Sequence, residues 1–154
     1  MLRFSCLLLS TWLAATPLGA QSSTPVGVWL HDNKRIEIAI APCGETLCGT
    51  LVWLKRPNDA QGLPLVDQKN PNSALRTRPL LGLTVVDGLR RTGENTWENG
   101  NIYDPDDGSS YTVSMSMLDD GSLRMRAYIL TPMLGKTFVW TRMRAIGYAS
   151  KQGS

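Results

Sequence analysis

His31, Cys43, Cys48 and the run Asp104-Pro105-Asp106-Asp107-Gly108 are the residues of this 154-residue chain best equipped for chemistry, and their spacing limits what they can do. A serine hydrolase needs a histidine that reaches both a serine and an acid. His31 is the only histidine, and no nucleophile elbow surrounds any serine. At the end of a strand-like run and beside Asp32, it reads as a rim or turn residue. A zinc centre takes three or four nitrogen and sulfur ligands, more than one histidine and two paired cysteines provide. The clustered aspartates suit a hard cation by type but not by spacing, since a calcium loop spreads its ligands over about twelve residues and ends on a glutamate. Asp, Pro and Gly in that order build a tight turn instead. No catalytic residue, metal or cofactor is assigned, and the chain reads as a non-enzyme.

Cys43 and Cys48 stand in a chain that begins like an exported one. Met1-Leu2-Arg3 is a positive start, residues 4–15 are apolar and Ala20-Gln21 is a cleavage point. Residues 1–20 therefore read as a secretory signal and residues 21–154 as a single domain. The apolar stretch is shorter than the roughly 20 residues a spanning helix requires, so no membrane span is expected after signal cleavage. Cys6 leaves with the signal, and the two remaining thiols predict one disulfide across a four-residue turn, in a periplasmic or secreted compartment. The net charge of +3 falls by one when Arg3 leaves, which argues against a nucleic-acid partner and against a polybasic membrane contact.

Binding is the chemistry that remains. Trp97, Asn99, Asn101 and Tyr103 alternate along one run, so strand parity puts them on one face: a recognition strip if it faces inward, an amphipathic surface if outward. Gly100 between them fits a bulge or the close approach of a guest. Tyr111, Met115, Met117 and Met125 have interior parity, and methionine either fills an irregular core or adapts to an apolar guest. Residues 56–79 carry four prolines and no strand pattern, and they exceed the usual loop limit of about 12–15 residues. They hold Arg56, Lys69, Arg76 and Arg78 against Asp59 and Asp67. That composition fits a lid attractive to a carboxylate or phosphate, or a solvated strap. The candidate binding set is Arg76, Arg78, Trp97, Asn101, Tyr103, Tyr111 and Met125.

Strands must position these side chains. Apolar, β-branched and aromatic residues alternate with polar ones over residues 26–31, 34–41, 47–55, 81–87, 95–103, 109–118, 123–130 and 136–144. Short connections make sequence neighbours antiparallel neighbours. The expectation is an all-β, up-and-down antiparallel barrel of about eight strands with one long loop, ahead of a two-sheet sandwich. In a closed barrel the first and last strands meet. Arg142 of Trp140-Thr141-Arg142 then lies across Trp29 of Gly27-Val28-Trp29, a stack worth roughly 0.5–2 kcal/mol.

Four segments carry a likeness: Gly49-Thr50-Leu51-Val52-Trp53-Leu54, Asp67-Gln68-Lys69-Asn70-Pro71, Leu75-Arg76-Thr77-Arg78-Pro79-Leu80-Leu81-Gly82-Leu83, and Gly100-Asn101-Ile102-Tyr103-Asp104-Pro105-Asp106-Asp107-Gly108. Together they resemble a family of small exported bacterial proteins defined only as an uncharacterised domain, with an Ile-Tyr-Asp-Pro turn and a closing Trp-Thr-Arg. The resemblance implies a lipocalin-like (calycin) barrel and an envelope or secreted location, and implies no reaction. The combined reading is an exported, non-enzymatic barrel for a small amphipathic or anionic molecule. The alternative is an envelope protein-interaction, inhibitor or accessory module that meets its partner through the long loop or the 21–25 arm.

Overall fold

The computed structural model describes residues 24–143. The expected signal segment, residues 1–20, and Arg144 of the last expected strand lie outside the described residues. Eight strands follow in order: β1 Gly27–Leu30, β2 Ile36–Cys43, β3 Thr46–Leu54, β4 Thr84–Arg91, β5 Thr96–Asp104, β6 Ser109–Met117, β7 Leu123–Tyr128 and β8 Lys136–Arg142. Each pairs antiparallel with the next, and β1 pairs with β8, which closes the sheet into a barrel and rules out the open sandwich.

Alternation sets the two faces. Ile38 and Ile40 of β2, Val113 and Met115 of β6, and Leu123 and Met125 of β7 point inward and are buried, while Arg124 between them is exposed. Two strands break strict alternation. In β4, Val86 and Leu89 are both fully buried although three residues apart, because Gly88 at φ 68° inserts a bulge. The strand therefore runs on to Arg91, past the expected end at residue 87. In β5, Trp97 pairs with Met115 and Gly100 with Val113, so three steps on one strand match two on the other, with Asn99 at φ 58° taking up the extra residue.

The β2–β3 connection is tighter than expected. Cys43 pairs with Thr46 and Cys48 with Ala41, leaving a two-residue turn, Gly44-Glu45, in place of four residues. The bonded cysteines are diagonal neighbours, 5.8 Å apart at Cα.

Up-and-down order puts the β1–β2, β3–β4, β5–β6 and β7–β8 connections at one end of the barrel. The start of β1 and the end of β8 lie at the other, where Trp29 and Arg142 close it. Arg142 Cζ stands 4.2 Å from the Trp29 ring centroid, and its guanidinium donates to the carbonyls of Val26, at 3.0 Å, and Thr24. The expected stack is present. It also explains Gly27, at φ 146°, since a Cβ there would sit 2.6 Å from Arg142 Nη1.

Candidate functional site

The long connection is a strap against the outer wall. Register places Val86 opposite Ile102 and Asp87 opposite Asn101, so Val85 and Tyr103 are neighbours on the outer face of β4 and β5. Val85 is nevertheless buried, as is Asp67 of the strap. Asp67 Oδ1 accepts from the Tyr103 hydroxyl at 2.6 Å, and Oδ2 accepts from Asn70 Nδ2 at 2.8 Å and Arg78 Nε at 2.9 Å. The Arg78 Nη2 atom is 2.8 Å from the same oxygen. Asn70 also donates to Tyr103 Oη at 3.2 Å. Burial pushes the Asp67 carboxyl up, but the Tyr103, Asn70 and Arg78 hydrogen bonds and the Arg78 charge outweigh it and hold the group below its ordinary value. The Tyr103 hydroxyl is pushed up by burial and by its bond to the Asp67 carboxylate.

This network corrects part of the sequence-based site. Arg78 faces a buried carboxylate and not a guest, and Arg76 Nε donates to the Asn70 carbonyl at 2.8 Å. Both arginines brace the strap. Tyr103 faces the strap and Asn101 shares its outer face, whereas Trp97 points inward; the bulge at Asn99 splits the expected strip. Gly100 is filled by the protein itself, since a Cβ there would come within 2.7 Å of Leu89 Cγ. A Cβ at Gly49 would meet Ile38, Ile40 and Val86 at 3.0 Å. Trp97, Met115 and Met125 are buried in the core cluster.

The face that sequence reasoning missed lies at the loop-bearing end, beside the short β1–β2 hairpin. Leu30 pairs with Thr141, which sets His31 alongside Trp140. The His31 ring lies 5.2 Å from Phe138 and 5.7 Å from Trp140, and Lys136 Nζ is 5.1 Å from the Phe138 centroid. Burial lowers the His31 pKa more than Asp32 and Asn33 raise it, so the ring is neutral near pH 7. Its Nδ1 accepts from the Asn33 N–H at 3.1 Å. The Asp32 Oδ1 atom, 2.7 Å from Nδ1, becomes an ion-pair partner only when the ring is protonated. The buried Trp140 Nε1–H has no hydrogen-bond partner among the described residues. Tyr111 pairs with Ile102 on the inward face and donates its hydroxyl to Asp107 at 3.0 Å. A lone histidine at a strand end was the only sequence signal for this cluster; its aromatic neighbours come from a strand more than 100 residues away.

Among the described residues, no group of three or more His, Cys, Asp or Glu side chains is placed to hold a metal. No helix among them is long and apolar enough to cross a membrane. On the outer wall, a groove of about 380 Å³ is lined by Thr96, Glu98, Ser114, Met115, Ser116, Arg124, Arg126 and Thr137. Its polar groups partly satisfy one another: Arg124 donates to Ser116 Oγ at 3.2 Å and Arg126 to Thr137 Oγ1 at 2.7 Å.

A closed eight-stranded antiparallel barrel sealed at one end by a tryptophan–arginine stack is a lipocalin-like fold. Protein HP1028 from the human pathogen Helicobacter pylori, described as belonging to the lipocalin family, has a similar structure. The TM-score is 0.69 at 22% sequence identity, over 80% of this chain and 86% of that one. The chain belongs to the family described as "Uncharacterized protein conserved in bacteria (DUF2147)", whose model matches residues 27–142. No curated protein sequence matches it.

Proposed function

We propose that this protein is an exported, non-catalytic barrel that holds a small amphipathic molecule with an anionic or carbonyl oxygen at its head. The observation that supports this most is the set of polar groups around Phe138: the Trp140 Nε1–H, which has no partner among the described residues, the His31 imidazole and the Lys136 ammonium. A carboxylate there would relieve the buried indole donor and pair with Lys136, and Phe138 would offer an apolar wall to the tail. Trp97, Met115 and Met125 belong to the core cluster, and Met125 pairs with Phe138, so the guest would lie beside Phe138 toward Tyr111 and Ile102. Arg76 and Arg78 would act indirectly, by holding the strap. The disulfide supports a periplasmic or secreted location.

Titration with a dansyl-labelled undecanoate, followed by fluorescence, tests this reading. The Lys136→Ala and His31→Gln variants should each weaken binding about tenfold, the loss of roughly 1.4 kcal/mol expected when one charge-assisted bond goes. Equal affinity in wild type and Lys136→Ala, or no binding by either, would remove the mouth as a site. The second reading, an envelope protein-interaction or accessory module, is favoured by the large buried core cluster inside the barrel and predicts cross-linked protein partners in place of a co-purifying small molecule.

A further inference from the structure

The β7–β8 connection, residues 129–135, presents apolar side chains to solvent in a fixed shape. Leu130 is 92% exposed, Met133 89%, Leu134 79% and Ile129 59%. Exposure on that scale within seven residues marks a contact surface, because isolated apolar residues are common on monomers but clustered ones are not.

The tip is built, not loose. Arg126 Nε donates to the Pro132 carbonyl at 2.6 Å, and its Nη1 ties to Thr137 Oγ1 at 2.7 Å. Thr131 caps the single 3₁₀ turn Pro132–Leu134, its hydroxyl accepting from the Met133 N–H at 3.1 Å. Leu130 is held at φ 66°, a left-handed conformation that a leucine adopts only when its surroundings impose it. Gly135 fits so closely that a Cβ would lie 2.7 Å from the Ala127 carbonyl. A protein that spends hydrogen bonds on keeping leucine and methionine in water has a use for them there.

The charge around the tip narrows the partner. Residues 123–142 contain Arg124, Arg126, Lys136 and Arg142 and no acid, while the remainder of the chain holds 12 basic and 13 acidic residues. Arg142 belongs to the sealed end, which leaves three cations on the strands behind the tip. The acids at the same end lie on other connections, Asp32 after β1 and Asp104, Asp106 and Asp107 at the β5–β6 turn, and none is on the β7–β8 hairpin. The net charge of +3 over the whole chain does not show this segregation.

We infer that the β7–β8 hairpin docks on an anionic lipid surface, with Ile129, Leu130, Met133 and Leu134 entering the acyl–headgroup boundary and Arg124, Arg126 and Lys136 meeting the headgroups. Lys136 is shared with the proposed guest site, whereas Ile129, Leu130, Met133 and Leu134 are not, so the apolar variants test this contact by itself.

Vesicle co-sedimentation tests it, using equal parts phosphatidylcholine and phosphatidylglycerol against phosphatidylcholine alone. The protein should bind the anionic vesicles at least tenfold more tightly, and added salt should weaken that binding. The double variant Leu130→Asn/Met133→Ser should lose at least tenfold. It alters only exposed positions, and asparagine tolerates the left-handed φ, so its melting temperature should match that of the wild type. Lys136→Glu should lose affinity without touching the apolar residues. Wild-type binding no stronger to anionic than to neutral vesicles would overturn the inference, as would undiminished binding by the double variant. Sedimentation of lipid-free protein as a dimer that the double variant abolishes would overturn it in favour of a second copy. Specific capture of one envelope protein lost in the same variant, without vesicle binding, would overturn it in favour of a protein partner.

Discussion

Asp67 shows how one side chain can govern a loop of nearly thirty residues. Its fully buried carboxylate takes bonds from Tyr103, Asn70 and Arg78, so the strap cannot leave the wall without exposing an ion pair and uncovering Val85. Removing one partner of a buried pair costs about 3–5 kcal/mol, and the one-third exposure of the Arg78 side chain lowers this to about 2–3 kcal/mol for Asp67→Asn. The sign with pH follows from the depressed carboxyl pKa. The network's stabilisation is complete above the unfolded value of about 3.9 and is lost as pH falls through the lower folded value. Urea midpoints at neutral pH and near pH 3 should therefore differ less in Asp67→Asn than in wild type; equal acid sensitivity in the two proteins would show that Asp67 carries no such linkage. The sequence displayed Asp67 only as one charge among several in a loop, since its partner Tyr103 is 36 residues away.

The bulges in β4 and β5 decide which side chains the barrel keeps for its core. Gly88 and Asn99, at φ 68° and 58°, each reverse the parity of everything after them, turning Leu89 inward and Tyr103 outward. Alternation read along residues 97–103 could not reveal this, because asparagine at positive φ leaves no mark distinct from asparagine in a loop. Gly100 then receives the Leu89 side chain. Gly100→Ala should cost about 1–3 kcal/mol by overpacking, and Leu89→Val in the same chain should restore part of that loss. Denaturant unfolding measures both, and a Gly100→Ala variant as stable as wild type would mean that Leu89 has room to move. The disulfide hairpin was legible earlier because two cysteines in an exported-type chain leave one pairing, even though the turn between them is shorter than the spacing suggested.

Across the whole molecule the weakest seam is the one that closes it. β1 and β8 share two register pairs, Trp29↔Arg142 and Leu30↔Thr141, against eight between β2 and β3. Arg142 compensates by stacking on Trp29 and bonding to the carbonyls of Val26 and Thr24. In Arg142→Ala, the Met143 amide, which donates to Val28, should exchange with solvent at least tenfold faster, while the β5–β6 amides keep their protection. Unchanged exchange at Met143 would assign closure to backbone pairing alone. The sequence by itself determined the number and order of the strands, the antiparallel connections, the closing stack and the cysteine pair. Those rest on period-two alternation and on turn residues, which act over a few positions. Tertiary structure alone decided that the strap covers an outer wall, that Arg78 neutralises a buried acid, that Trp97 and Met125 pack the core, and that His31 meets Phe138 and Trp140. These outcomes depend on contacts between residues far apart in the chain and on bulges whose positive φ only the assembled sheet enforces.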